Sequence, residues 1–281
     1  MWEVYTKDPI VKLTAKSFRD LIEYNQSYEG NYDLDYLLNS FGVIALGDAD
    51  IEQHCMGSLL VKGNLYGNAY GFADSEYVNE PSYIAGYVSK PGKPNGRSKY
   101  SGIPLYVGSS NTVDGSTLNG IENYYADPIY VSDSYISWDR VYSAAADVID
   151  FVQEETKDFE PIVIQYPWQE ITIQRGTITN LITGSEYCKI RLTGDYTGET
   201  TVINVLDGGF VINPQVIGLT QGEENPESEP ICITYPNASK VIIPTELTPE
   251  IGCVIAPDTD IEVKGGNTNG CLFGKSVSTY A

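Results

Sequence analysis

The stretch "GCVIAPDTDIEVKGGNTNGCLFG", residues 252–274, opens two short apolar runs with Gly-Cys pairs, Gly252-Cys253 and Gly270-Cys271. A third segment, "ICITYP" at 231–236, aligns without a gap with "GCVIAP" at 252–257 and "GCLFGK" at 270–275. Cys232, Cys253 and Cys271 are thus 21 and 18 residues apart. Short β-prone runs separated by turns, repeating near every 20 residues, are the pattern of a parallel β-helix. In that fold equivalent positions lie one strand spacing apart, about 4.8 Å. A small apolar side chain then packs on its own kind, and buried cysteine behaves as a small hydrophobe. The expectation is an inward-facing structural ladder of Cys232, Cys253 and Cys271, mostly unbridged. A β-sandwich with similar hairpins would share part of this pattern.

Working outward from this stretch, all of the chain after Pro161 reads as strands and turns, from "PIVIQYP" and "EITIQRGTITNLIT" to "NGCLFGKSVS". The segment before it, "SWDRVYSAAADVIDFVQEE", carries Trp138, Val141, Tyr142, Ala145, Val148, Ile149 and Val152 at helical spacing. A helix over about 137–155 follows, with Ser137 as its cap and Asp139 in its first turn, where the macrodipole favours an acid. Near the N-terminus Phe18, Leu21 and Ile22 predict a short helix that stops at Gly30. Residues 1–34 read as a helical segment capping an exposed coil end, and 35–281 as the domain itself.

Composition narrows the function. The 281 residues carry a net charge of −21, which disfavours nucleic acid and anionic lipid as partners. No apolar run reaches 18 residues, and "MWEVYTKDPIVKLTAKSF" lacks the apolar core of a secretion signal. Five cysteines without a CxxC pair, and a single histidine, do not make a structural zinc site. His54 and Cys55 are adjacent, so on a strand they point to opposite faces and do not form a catalytic pair.

Two clusters are candidate binding residues. In "GDADIE", alternation places Asp48, Asp50 and Glu52 on one face of an extended segment. Three carboxylates there could supply oxygen ligands to calcium, although a solvated acidic strand end is the simpler reading. No other cofactor is expected. "ENYYADPIYVSDSY" gathers Tyr124, Tyr125, Tyr130 and Tyr135 without helical period. Exposed, they would offer an aromatic platform to a glycan or protein; packed under the helix that follows, they would be filler. Thr177 and Thr179 form one TxT pair, but an ice-binding surface needs that pair repeated in register over several coils.

Taken together, "FGVIALGDADIE", "GSLLVKGNLYG", the intervening helix and "GCVIAPDTDIEVKGGNTNGCLFGKSV" resemble the choice-of-anchor A domain family. Val61, Gly63 and Asn64 match its first strand motif. Ile255, Ala256, Pro257, Asp258, Gly266, Gly270, Lys275 and Ser276 match its terminal one. The resemblance spans roughly 35–278. Two departures stand out: "QHCM" is inserted between Glu52 and Gly57, and no cell-wall sorting motif follows Tyr280. The resemblance implies a β-helix with a flanking helix and an adhesive, non-enzymatic role on a bacterial surface. The expected fold is therefore all-β, a right-handed parallel β-helix with one long helix on its flank. The expected activity is extracellular adhesion to a host or neighbouring-cell protein or glycan. The alternatives are self-association as a surface filament or matrix subunit, and a polysaccharide-acting β-helix enzyme.

Overall fold

A computed structural model describes residues 32–52, 55, 57–66, 82–88, 105–108, 129–195, 199–217, 231–245, 252–265 and 270–280. The expected N-terminal helix around Phe18 and all but the last three residues of the expected cap lie outside these.

The described chain begins with helix α1 (Leu34–Ser40) and strands β1 (Phe41–Ala45), β2 (Ala49–Ile51), β3 (Ser58–Val61) and β4 (Leu65–Tyr66). Strands β5 (Ser82–Ile84), β6 (Leu105–Gly108) and β7 (Ile129–Val131) follow, then the long helix α2 (Trp138–Thr156). Beyond it come β8 (Ile162–Val163), β9 (Gln169–Gln174), β10 (Ile178–Ile182), β11 (Cys188–Thr193), β12 (Thr201–Val205), β13 (Gly209–Ile212) and β14 (Gln215–Ile217). The last four are β15 (Ile231–Thr234), β16 (Ala238–Ile243), β17 (Cys253–Val263) and β18 (Leu272–Thr279).

The strand pairs are parallel, and they form three ladders. The first runs β7-β6-β5-β3-β1-β18-β17-β15-β12-β10-β8. A second joins β13 and β16 to the later parts of β17 and β18, then to β2 and β4. The third is the separate sheet β14-β11-β9. The order of the first ladder has a consequence for the ends. From β8 the chain stacks strand by strand up to β18, and β1 then sits directly on β18. The first described strand is therefore in the middle of the stack, between β18 and β3. Helix α2 carries the chain from the β7 end back toward β8; its 19 residues rise about 28 Å.

The alignment of the three Gly-Cys-type segments is the register of the sheet. Cys232 pairs with Cys253, Val254 with Leu272, and Ile255 with Phe273. Past the turn the correspondence slips by one residue, because Val241 pairs with Ile261. Gly252 and Gly270 are needed where each coil begins, with φ of 73° and 108°. A Cβ at Gly252 would lie 2.4 Å from the Ile231 carbonyl oxygen, and one at Gly270 2.3 Å from that of Gly252. Only glycine fits so close to the coil beneath.

Two apolar clusters result. One lies inside the coils and includes Val43, Leu59, Leu181, Ile203, Ile233, Val254 and Leu272. The other lies between the first ladder and the helices, and includes Phe41, Ile44, Leu60, Ile255 and Phe273 from the strands. Helix α2 contributes Val141, Ala145 and Ile149, and buries Val152 one turn further on. The larger aliphatic side chains, Val141 and Ile149 among them, each add roughly 1.5–3 kcal/mol by burial. Tyr142, expected on this stripe, is 40 % exposed, and its hydroxyl donates to Asp258 Oδ2 at 3.1 Å. Ser137 occupies the N-cap but its side chain makes no capping bond. Its backbone N–H instead donates to the Tyr32 hydroxyl at 2.9 Å, which ties the segment leading into α1 to the start of α2.

Candidate functional site

Cys232, Cys253 and Cys271 do not face the coil interior as expected. All three are buried and unbridged, but they belong to the cluster under the helices, with Phe273 and Ile149. The parity of the strands decides this: their neighbours Ile233, Val254 and Leu272 point into the coil, so the cysteines point out. The backbone N–H of Cys271 lies 3.4 Å from Cys253 Sγ. Burial pushes the Cys253 thiol up to about 12 and those of Cys232 and Cys271 well above the ordinary range. Thiols so protonated are poor nucleophiles.

The tyrosine set divides. Tyr124 and Tyr125 lie outside the described residues, and Tyr130 sits in β7, its backbone paired with Val107. Tyr135 is buried rather than displayed. Its ring stacks on Tyr106 at 6.4 Å and 5°, and meets Tyr83 at 5.7 Å. Tyr83 in turn meets Trp138 at 6.0 Å. The start of α2 covers this group, which takes Tyr135 out of any platform. Burial raises the Tyr83 phenol to about 12.

Asp48, Asp50 and Glu52 alternate with Ala49 and Ile51, which are fully buried. Asp48 Oδ1 accepts the Asn64 N–H at 2.7 Å, and Asn64 Oδ1 accepts the Tyr87 N–H at 2.9 Å. These side chains tie successive corners together. Glu52 is tied through its own N–H, which lies 3.1 Å from Thr279 Oγ1. Burial raises the Asp50 carboxyl. Among the described residues no group of three or more histidine, cysteine or acidic side chains could hold a metal ion. The TxT pair is not continued either, since Thr179 stands beside Ile203, a residue of the coil interior.

Exposed aromatic residues are scattered, Phe151, Phe159 and Phe210 among them, and one group of them lies beside the third ladder. In the third ladder the period-two pattern of "QEITIQ" and "CKIRLT" turns Ile171, Ile173, Ile190 and Leu192 inward. Glu170, Lys189 and Gln215 then share one outward column, and Thr172, Arg191 and Ile217 the next. Arg191 Nε donates to Glu170 Oε1 at 2.5 Å, and that bond holds the Glu170 carboxyl below its usual range. Just before the Gln169–Cys188 pair, the Trp168 and Tyr187 rings stack 4.6 Å apart at 12°. Trp168 is 49 % exposed, and Tyr166 beside it 61 %. The Trp168 backbone has φ of 64°, in the left-handed region, and its N–H donates to the Tyr187 carbonyl at 2.5 Å. Lys189 Nζ lies 5.9 Å from the Trp168 ring centroid. A sequence signal for this pair existed: both aromatics directly precede an alternating strand, 19 residues apart, close to the coil period.

The sequence profile of one family, described as a "Putative Ice-binding-like adhesive domain", matches residues 35–281. The chain belongs to that family. This ice-binding-like adhesive domain thus takes in every described strand, α2 and all of α1 but Leu34. No curated protein matches it. Among solved structures it is similar to an antifreeze ice-binding protein from an Arctic yeast, at 11 % identity and a TM-score of 0.30, over 86 % of this chain and 91 % of that one. No helix among the described residues is long and apolar enough to cross a membrane.

Proposed function

We propose that the chain is a non-enzymatic, extracellular adhesion domain displayed on a bacterial surface, in line with its likeness to choice-of-anchor A domains. In this reading residues 35–281 form a right-handed parallel β-helix solenoid, and 1–34 an N-terminal helical segment that caps a coil end. The right-handed sense follows from the strong preference of parallel crossovers for that hand. The observation that carries the function is the match of an adhesive-domain family along the whole stack. The architecture supports it. Parallel ladders hold outward side chains in fixed rows, so a binding surface costs little ordering when a partner arrives. The covered first ladder is given over to holding α1 and α2, while the third presents polar and aromatic side chains to solvent.

The test is an array of host-matrix proteins, whole cells and glycans probed with the purified chain. Saturable binding to at least one class is expected. A blank array at high protein concentration, or release of product from a polysaccharide panel, would overturn the reading.

A further inference from the structure

The open face of the third ladder points to a ligand class, on the footing of the adhesive reading. We infer that Trp168 and Tyr187, with Glu170, Lys189 and Gln215 in the adjoining column, form a binding site for an uncharged pyranose glycan.

The aromatic pair carries the first part of the argument. Its rings are parallel and stacked, so each supports the other in one orientation. Strand β9 is the outermost of its ladder among the described residues. The Trp168 face turned away from Tyr187 therefore has no further described coil upon it, in keeping with its exposure. A pyranose ring presents a flat patch of C–H groups, which suits an aromatic face. The packing of the coil does not explain the placement. Trp168 is not in either buried cluster, and its left-handed backbone is one that a bulky residue adopts only at a cost. Such a ring, exposed and held against local preference, is better explained by something it contacts.

The polar surroundings carry the second part. Donors and acceptors alternate along the adjoining columns: the Glu170 carboxylate, the Lys189 ammonium, the Gln215 amide and the Thr172 hydroxyl. A polyhydroxyl ligand requires both kinds at close spacing. The charged side chains of this face each have a neighbour, though only one pair joins opposite charges. Arg191 holds Glu170, Lys189 lies near the Trp168 ring, and Arg175 Nη1 donates to the Gly194 carbonyl at 2.7 Å. Three of these four charges are cationic, yet the chain as a whole, at −21, repels polyanions, which favours an uncharged ligand. A protein partner would seat its anchor in a desolvated apolar pocket, whereas Trp168 stands among polar and charged side chains.

The experiment uses the full chain against cellulose, chitin, β-glucan, mannan and galactomannan, with alginate as the charged arm and matrix proteins as a separate arm. Retention and tryptophan fluorescence are read together. At least one uncharged polysaccharide should be retained and should shift the Trp168 emission. Trp168→Ala should weaken that binding about 10-fold or more, the size of one lost aromatic stack. Trp168→Phe, which keeps a stacking face, should stay within about three-fold, with circular dichroism showing the same fold for both variants. Cells or matrix proteins bound while every uncharged glycan fails would overturn the inference and leave the adhesive reading standing. Binding to alginate alone would overturn the uncharged class. A glycan held equally well by Trp168→Ala would overturn the site.

Discussion

Under α2 the first ladder stacks Asn180, Asn204, Thr234, Ile255 and Phe273 in one column, each paired in register with the next. On the third ladder Glu170, Lys189 and Gln215 form a column by the same parallel pairing, yet it faces solvent. The backbone device is common to both; the cover differs. Where a helix lies on the ladder, the polar groups of this column find protein partners, because water is gone. Asn180 Nδ2 donates to the Thr156 carbonyl at 2.9 Å, Asn204 Nδ2 to Asn180 Oδ1 at 2.8 Å, and Thr234 Oγ1 to Asn204 Oδ1 at 2.9 Å. Where the ladder is bare, the side chains are charged and aromatic and can be spared by the fold. A ladder position thus reports on stability or on binding according to what covers it.

The largest expected effect tests how dry the covered regions are. Burial raises the thiols of Cys55, Cys188 and Cys253 from 9.0 to about 12. Below pH 9 these thiols are protonated in both folded and unfolded chains and cost nothing. Between about pH 9 and 12 the unfolded chain releases the protons and the folded chain keeps them, so stability falls as pH rises. The slope is about 1.4 kcal/mol per pH unit for each thiol, hence roughly 4 kcal/mol per unit for three. The melting temperature should hold to about pH 9 and then drop steeply, and replacing the three cysteines by alanine should make the drop shallower without abolishing it, because burial raises Cys232, Cys271 and Tyr83 as well. A wild-type curve flat to pH 11 would show that water reaches these sites.

How much of this was legible in the sequence depended on how regular each part is. The Cys232, Cys253 and Cys271 segments revealed their register because the turns between them differ by only a few residues. Elsewhere the spacing of paired residues runs from 16, Val43 to Leu59, to 30, Val202 to Cys232, so the period disappears from the sequence while the strands stay aligned. The helix was legible from its stripe to within a residue at each end. The facing of the cysteines was not, since both faces of the first ladder are buried and alternation no longer distinguishes in from out. The middle position of β1 was also hidden: parallel stacking of the first coil on the last is a contact between chain ends. The tyrosine-rich run drew attention by composition, yet Tyr135 is filler. Trp168 and Tyr187 had only their 19-residue spacing to link them.

A second test removes one rung from the covered column. Asn204→Ala leaves the Thr234 hydroxyl and the Asn180 carbonyl oxygen without their partner, both in buried positions. The expected loss is about 2–3 kcal/mol in denaturant unfolding, the range for orphaned buried polar groups. The bare-face counterpart Thr172→Ala should stay within about 0.5 kcal/mol. Equal losses from the two would mean that the helix cover does not set the cost, and the contrast between the ladders would fail.

The smallest effect is the most discriminating for the open face. Trp168→Gly removes a ring that stacks only on Tyr187 and relaxes a backbone at φ of 64°. The lost stack is worth about 0.5–1.5 kcal/mol. The relieved left-handed conformation returns roughly 1–2 kcal/mol. The two terms oppose each other, so the unfolding free energy should change by less than about 1 kcal/mol, in either direction. Denaturant titration of the variant measures this directly. A loss above about 2 kcal/mol would place Trp168 with the covered residues, as a part the fold requires. A near-zero change would mean that the fold gains little net stability from keeping the ring in its left-handed conformation, which is what a residue kept for an external contact should show.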